Sequence, residues 1–364
     1  MHLFHRTRYR SSVFAPYLPP PPGGIVSINA LLRKIFSSSD VGFFQPINKF
    51  CNPFLFPLAL NLFNYILLLR VIFSTRYKGK ILFFSSSGLS FVEKVAWATT
   101  TTLFGRRPIV FLVSGSFPTS WSNSTLFIKT IVSFLFNRPS ICLLSQSLSW
   151  QNYYKKIFPL CNHRIAPATV DLNNFTQKHK VSPIVKIPKL TYVGWIIKEK
   201  GILDLLDATK IASNVYPSLH LDLIGPDFNT KAFWQNEINA RDLAANVTLR
   251  GSIEDKNKLL LQIVESTIFI FPSHFEGLPV SLIEAISLGI PCISTNVGGC
   301  SDVLDYGKAG IIVKVSSPLE LSSAIIKLIE SHDLRCFYSN AAANHFEEKF
   351  SFSNFKMKFS KILL

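Results

Sequence analysis

Charge is scarce in this chain, and acid is nearly absent from its first half. Only 16% of the 364 residues are charged, against 48% that are hydrophobic. That balance excludes a disordered or fibrous chain, and the length suits two domains of roughly 150 residues each. Met1–Ile165 holds 18 Lys and Arg but two acids, Asp40 and Glu93, whereas Ala166–Leu364 balances 20 against 20. The whole net charge of +16 therefore lies in the N-terminal half. Such a field suits an anionic partner: a phospholipid surface, a lipid-phosphate acceptor or nucleic acid. Ordinary solvated cations are the plainer alternative.

Other absences narrow the class further. The six cysteines (Cys51, Cys142, Cys161, Cys292, Cys300, Cys336) form no C-x-x-C pair. Neither a disulfide framework nor a zinc site is indicated, and buried thiols in a reducing cytosol fit best. There is no Asp-x-Asp and no His-x3-His, so no metal is expected, and His274 reads as a hydrogen-bonded side chain. Arg6, Arg8 and Arg10 are followed by Pro16–Pro22 where a signal peptide needs an apolar stretch. Phe54–Phe73 is apolar but broken by Pro57, Asn61, Asn64 and Arg70, which predicts a buried or interfacial helix instead of a span. No nucleic-acid recognition module accompanies the basic half, so no nucleic-acid partner is expected.

What is present is an alternation. Apolar runs at Leu190–Trp195, Leu219–Gly225, Val247–Arg250, Ile268–Pro272, Pro291–Thr295 and Gly310–Val313 read as buried parallel strands. Helical patterns fall between them at Ile202–Ser213, Lys231–Leu243, Lys256–Val264, Val280–Leu288 and Leu319–Ser331. Strand and helix at this spacing predict a doubly wound α/β sheet, which binds ligands outside the carboxyl ends of its strands. In the first half, Lys80–Ser85, Pro108–Val113 and Ser140–Leu144 predict a second, similar domain. Domains are expected at 1–170 and 171–340, joined by the polar segment Asp171–Val185. The helical tail at 341–364, with Phe346, Phe350, Phe352, Phe355 and Phe359, is expected to pack back on the first domain.

The segment Pro272–Gly289 carries the chemistry. A strand ends at Pro272, a loop carries Glu276 and Gly277, and a helix opens near Pro279, a favoured starter residue. The unpaired N–H groups and positive dipole of a helix start attract anions, and Gly277 lets backbone approach a ligand. Glu276 and Glu284, flanking such a site, could accept hydrogen bonds from sugar and ribose hydroxyls. On the two glutamates alone, a solvated surface turn is an equal reading.

The spacing Glu276-x7-Glu284 resembles the E-x7-E motif of family 4 glycosyltransferases, retaining enzymes of the GT-B type. Gly289-Ile290-Pro291, Val297-Gly298-Gly299 and Gly310–Val313 resemble that family's following elements. Upstream, Tyr192–Ile196 and Lys200-Gly201-Ile202 resemble its G-R-L…K-G element, so the likeness runs from Leu190 to Leu328. It implies two Rossmann-like domains facing across a cleft, the first binding acceptor and the second nucleotide sugar. It implies that Glu276 contacts the donor sugar, Glu284 the ribose and Lys200 the diphosphate. The charge developing on the leaving phosphate would be met by Lys200 and by amides near Leu278, Val280 and Ser281. Gly194 lies in the same element as Lys200, and Arg250 and Ser252 would stand near the base. Gly23 and Gly24, after Pro19–Pro22, resemble the family's glycine-rich first loop.

The implied reaction moves a hexose from a UDP- or GDP-sugar to a glycan or lipid-linked acceptor, with retention, no metal and no cofactor. Surface polysaccharide assembly is the implied setting, such as lipopolysaccharide. The implied place is the cytoplasm, or peripherally the inner face of the plasma membrane, whose anionic surface would meet the basic first domain. Three departures stand against full likeness. Trp195 replaces the usual arginine, leaving Lys198 as a substitute; Ser114-Gly115-Ser116 replaces His-Gly; and Ala168-Thr169 replaces Asn-Gly. They support an alternative, a degenerate non-catalytic binding or scaffold subunit.

Overall fold

The structure is a computed structural model that describes residues 9–14, 24–36, 41–44, 57–74, 77–172, 175, 180–182 and 184–364. Pro19–Pro22, Gly23, Asp40, Cys51 and parts of the expected linker lie outside the described residues. The chain divides into two compact units, one of residues 1–168 and 353–364, the other of residues 169–352.

The first unit contains a parallel sheet of β1 (Tyr9–Phe14), β2 (Val41–Phe44), β3 (Tyr77–Ser85), β4 (Arg107–Leu112), β5 (Cys142–Ser145) and β6 (Asn162–Ile165), in the order β2-β1-β3-β4-β5-β6. The three strands with apolar sequence runs, β3 to β5, match expectation to within three residues. The other three carry weaker signals: β1 buries Ser11 and Ser12 at its centre, and β6 reads Asn-His-Arg-Ile at the sheet edge. Helix and strand are packed by an aromatic core. Phe91 meets Phe117 edge-on at 5.0 Å, and Phe136 meets Phe158 at 5.1 Å. Edge-to-face pairs of this kind add to the burial of large apolar surfaces.

Pro57–Phe73 is a helix, and no helix among the described residues is long and apolar enough to cross a membrane. The expected tail at 341–364 needs correction. Residues 332–345 form one helix that runs into a π-helical turn at Phe346–Phe350, and all of this belongs to the second unit. It is held there by Ser339 donating to the Gly289 carbonyl and by the contact of His345 Nε2 with the Asp302 carbonyl. Only the last helix, Phe352–Leu363, joins the first unit, from Ser353 on. Its Phe359 is fully buried, with its ring 6.0 Å from that of Phe111.

The second unit contains β7 (Lys189–Val193), β8 (His220–Ile224), β9 (Val247–Gly251), β10 (Ile268–Phe271), β11 (Cys292–Thr295) and β12 (Ile311–Val313), all parallel, in the order β12-β11-β10-β7-β8-β9. The six expected strands are all present, with every end within two residues of expectation. β10, Ile-Phe-Ile-Phe, is buried throughout, as a strand covered on both faces should be. Asp255 explains the sharp start of helix Lys256–Val264, since its carboxylate accepts from the Asn257 and Lys258 amides at 2.9 and 3.1 Å. The order reverses direction between β7 and β10. In an open parallel sheet that reversal leaves a crevice at the carboxyl ends of the two strands.

Candidate functional site

The loops leaving β7 and β10 meet at this reversal. After β7 the chain passes Gly194 and Trp195 and makes a single 3-10 turn at Lys198–Lys200. Gly201 closes the turn with a left-handed φ of 69° and starts helix Ile202–Val215. A Cβ at Gly201 would lie 2.0 Å from the Pro272 carbonyl oxygen, so this residue must be glycine for the two loops to touch. The His274 amide then donates to the Glu199 carbonyl at 3.0 Å, and His274 Nε2 lies 2.7 Å from Asp204 Oδ2. These contacts bind the Lys200 turn to the loop after β10.

Lys200 and Glu276 form an ion pair at the crevice, with side chains 17% and 13% exposed. Ser273 Oγ donates to the same Glu276 oxygen at 3.1 Å, and Thr295 donates to the Ser273 carbonyl. Below them Tyr192 is fully buried, stacked on Phe271, and donates to the Trp195 carbonyl at 2.8 Å. Burial, reinforced by the Glu276 charge, holds its phenol well above the ordinary range, so it remains a neutral donor. The Glu276 loop is held from the other side by Gly298, where a Cβ would meet the Glu276 carbonyl at 1.9 Å, and by the Gly299 amide donating to Gly277 O at 2.8 Å.

Helix Val280–Ser287 starts after Pro279, with no side-chain cap. The first-turn amides of Val280 and Ser281 have no partner within the helix, because an α-helix leaves its first four N–H groups outside its own ladder. Leu278 is buried beneath them. Glu284 sits on the same helix, 4% exposed, and its carboxylate pairs with Lys256. A carboxylate so deeply placed requires a partner, and the half-exposed ammonium of Lys256 supplies it. Sequence reasoning did not single out Lys256, Ser273 or Asp204. Lys256 and Asp204 lie 28 and 70 positions from the side chains they touch, and only the fold connects them. Ser273 is three residues from Glu276 and carries no signal that sets it apart from other loop serines.

Other expected residues stand apart. Arg250, near the end of β9, turns onto the fully buried Asp222, with Nε 2.7 Å from Oδ1. His220 and Lys189 stand 3.4 and 3.5 Å from the same carboxylate, although none of the three contacts has hydrogen-bond geometry. Ser252 is exposed, and neither it nor Arg250 bonds to Lys200, Glu276 or Glu284 among the described residues. Trp195 is about half exposed and meets Phe228 edge-on. Lys198 lies over the Phe233 ring at 4.8 Å, a cation–π contact away from the Lys200–Glu276 pair. Gly24 begins helix Gly24–Ile35 in the first unit, and Gly23 lies outside the described residues.

The arrangement therefore offers a cation, two carboxylates and an open helix start at one sheet edge. Comparison with known proteins bears on what that equipment is for. Residues 174–345 match the family described as "Glycosyl transferases group 1". The capsular polysaccharide biosynthesis glycosyltransferase CapM of Staphylococcus aureus is 31% identical over 160 residues, 44% of this chain and 41% of that protein. The chain spans less than half the length of the curated relatives it matches. In structure it is similar to sucrose-phosphate synthase of Thermosynechococcus elongatus, with a TM-score of 0.75 over 98% of both chains at 15% identity. It is also similar to Anabaena HepE in complex with UDP and glucose, with a TM-score of 0.70 over 98% of this chain and 99% of that one, again at 15% identity. At these identities the likeness establishes the fold, which is GT-B with two Rossmann-like units, as the sequence led us to expect.

Proposed function

We propose that the protein is a retaining, metal-independent glycosyltransferase that moves a hexose from a UDP- or GDP-sugar to a glycan or lipid-linked acceptor in surface polysaccharide assembly. The observation that carries this reading is the Lys200–Glu276 pair, set beside an uncapped helix start at the sheet's reversal point. Without ligand the two charges neutralise each other. A bound diphosphate gives Lys200 a stronger anion, and Glu276 is then free to accept hydrogen bonds from the sugar hydroxyls. The Val280 and Ser281 amides face the same anionic group, and Glu284 receives the ribose.

As the glycosidic bond breaks, negative charge grows on the diphosphate, and Lys200 with the helix start stabilises it. Those two features take the place of a divalent cation. No enzymic nucleophile is assigned; the leaving phosphate accepts the acceptor's proton on the same face, and the anomeric configuration is kept. The basic first unit draws in an anionic acceptor or membrane surface. The CapM likeness supports the polysaccharide setting, and the HepE complex supports UDP as the carrier.

The test is turnover of a panel of UDP- and GDP-hexoses by the full chain, followed by nucleotide diphosphate release and by the anomeric configuration of the product. Lys200→Ala should lower kcat by about 10²–10³, the cost of removing one transition-state donor. Glu284→Gln should chiefly weaken donor binding, and chelation should change neither. Unchanged turnover in both variants would refute the site. A second reading rests on Trp195, which stands where the family usually has an arginine: a binding subunit without activity. That reading expects nucleotide-sugar binding with neither transfer nor hydrolysis.

A further inference from the structure

A cavity of about 320 Å³ opens at the amino edge of the first unit's sheet. Its walls include Lys80, Arg106, Arg107, Ser140, Asn162 and Arg164. Arg107, Cys142 and Asn162 are the first residues of β4, β5 and β6, and Lys80 stands opposite Arg107 in the β3–β4 register. The cavity is thus at the end of the strands opposite to that where doubly wound sheets hold their usual ligands.

Four cations share these walls with no acid. Lys80, Arg107 and Arg164 make no ion pair among the described residues, and Arg106 donates to the Ile72 carbonyl at 2.8 Å. The unit has almost nothing with which to neutralise them. Its acidic side chains are Asp40, outside the described residues, and Glu93, already paired with Lys94. Leu364 lines the adjoining pocket beside Lys80, Arg106 and Arg107 without forming an ion pair with them among the described residues. Cys142 does not help, since burial pushes its thiol up to about 11 despite the nearby cations. Like charges opposite each other in a sheet repel. Burial, then Arg164 and Arg107, hold the Lys80 ammonium below its ordinary range. An anion placed between these side chains would relieve the repulsion.

We propose that this cavity is a second anion site, taking a phosphate or diphosphate monoester carried by a soluble metabolite or by a lipid headgroup. Guanidinium forks bind phosphate oxygens in pairs, which favours this class over a monovalent ion. Ser140 and Asn162 offer polar contacts to the esterified part, and the volume admits more than the phosphoryl group alone. The site is built within the first unit, whereas Lys200 and Glu276 belong to the second.

Thermal melting of the full chain tests this with inorganic pyrophosphate as probe, in the wild type, Lys200→Ala, Arg164→Ser and Arg107→Ser/Arg164→Ser, the last two also in the Lys200→Ala background. At a hundred times its Kd, pyrophosphate should raise the melting temperature of wild type and Lys200→Ala by about 5 °C or more. It should not move the double variant in the Lys200→Ala background, where the other diphosphate site is gone, and Arg164→Ser in that background should weaken binding about tenfold. Without anion the double variant should melt above the wild type, because repulsion is relieved. Sedimentation with phosphatidylcholine vesicles, with or without phosphatidate, separates the sources. Phosphatidate-dependent binding lost in the double variant assigns a lipid headgroup, and pyrophosphate binding without it assigns a soluble ester. Equal pyrophosphate shifts in Lys200→Ala with and without the double substitution overturn the proposal. So does the absence of both pyrophosphate and phosphatidate binding.

Discussion

Gly201→Ala isolates the contact on which the candidate site depends. The native residue has φ 69° and ψ 24°, where an alanine costs about 1–2 kcal/mol of backbone strain, partly offset by about 0.4–1 kcal/mol from the stiffer unfolded chain. The added methyl would also lie 2.0 Å from the Pro272 carbonyl oxygen, well inside any tolerated approach. The Lys200 turn and the loop after β10 must then part by more than an ångström, an overpacking cost of about 1–3 kcal/mol. The total is about 2–4 kcal/mol. Gly251→Ala is the matched control: φ is again 69°, but no atom lies within 4 Å of the new methyl, so only the backbone cost of about 1 kcal/mol remains. Urea denaturation monitored on the second unit should separate the two variants by about 1–3 kcal/mol. Nucleotide binding should fall in Gly201→Ala and persist in Gly251→Ala, since the first moves Lys200 away from Glu276. Equal stability losses in the two variants would refute the argument that loop contact dictates glycine at 201.

Two further outcomes follow from packing. Phe359→Ala should destabilise the first unit by about 3–5 kcal/mol, because the ring is fully buried beside Phe111 and Phe355; differential scanning calorimetry should show the loss in that unit's transition. Cys142 and Cys161 should resist iodoacetamide at pH 8, since burial raises both thiols to about 11. Their ordinary value is 9.0, so the unfolded chain loses these protons first, and the stability they contribute is present below pH 9 and lost as pH rises towards 11. Rapid alkylation at pH 8 in the folded protein would contradict this burial.

The sequence by itself determined the second unit almost completely. Its strands are short apolar runs covered on both faces, and its helices are amphipathic stretches of ordinary length, so periodicity alone locates them. The two glutamates and the helix start were legible from spacing along one strand–loop–helix, whereas Lys200 entered only through the family resemblance. The first unit was half legible. β1 is central yet buries serines, and β6 is polar, so neither has the hydrophobic run that marks a strand. Tertiary structure decided the rest, because it depends on side chains far apart in sequence. It gave Glu284 its partner in Lys256 and tied His274 to Asp204. It turned Arg250 inward to Asp222 and divided the C-terminal phenylalanines between two cores. The uneven charge is plain in the sequence. That four of its cations line one cavity with no acidic side chain among the described lining residues follows only from bringing β3, β4 and β6 side by side, and no pattern along the chain encodes that proximity.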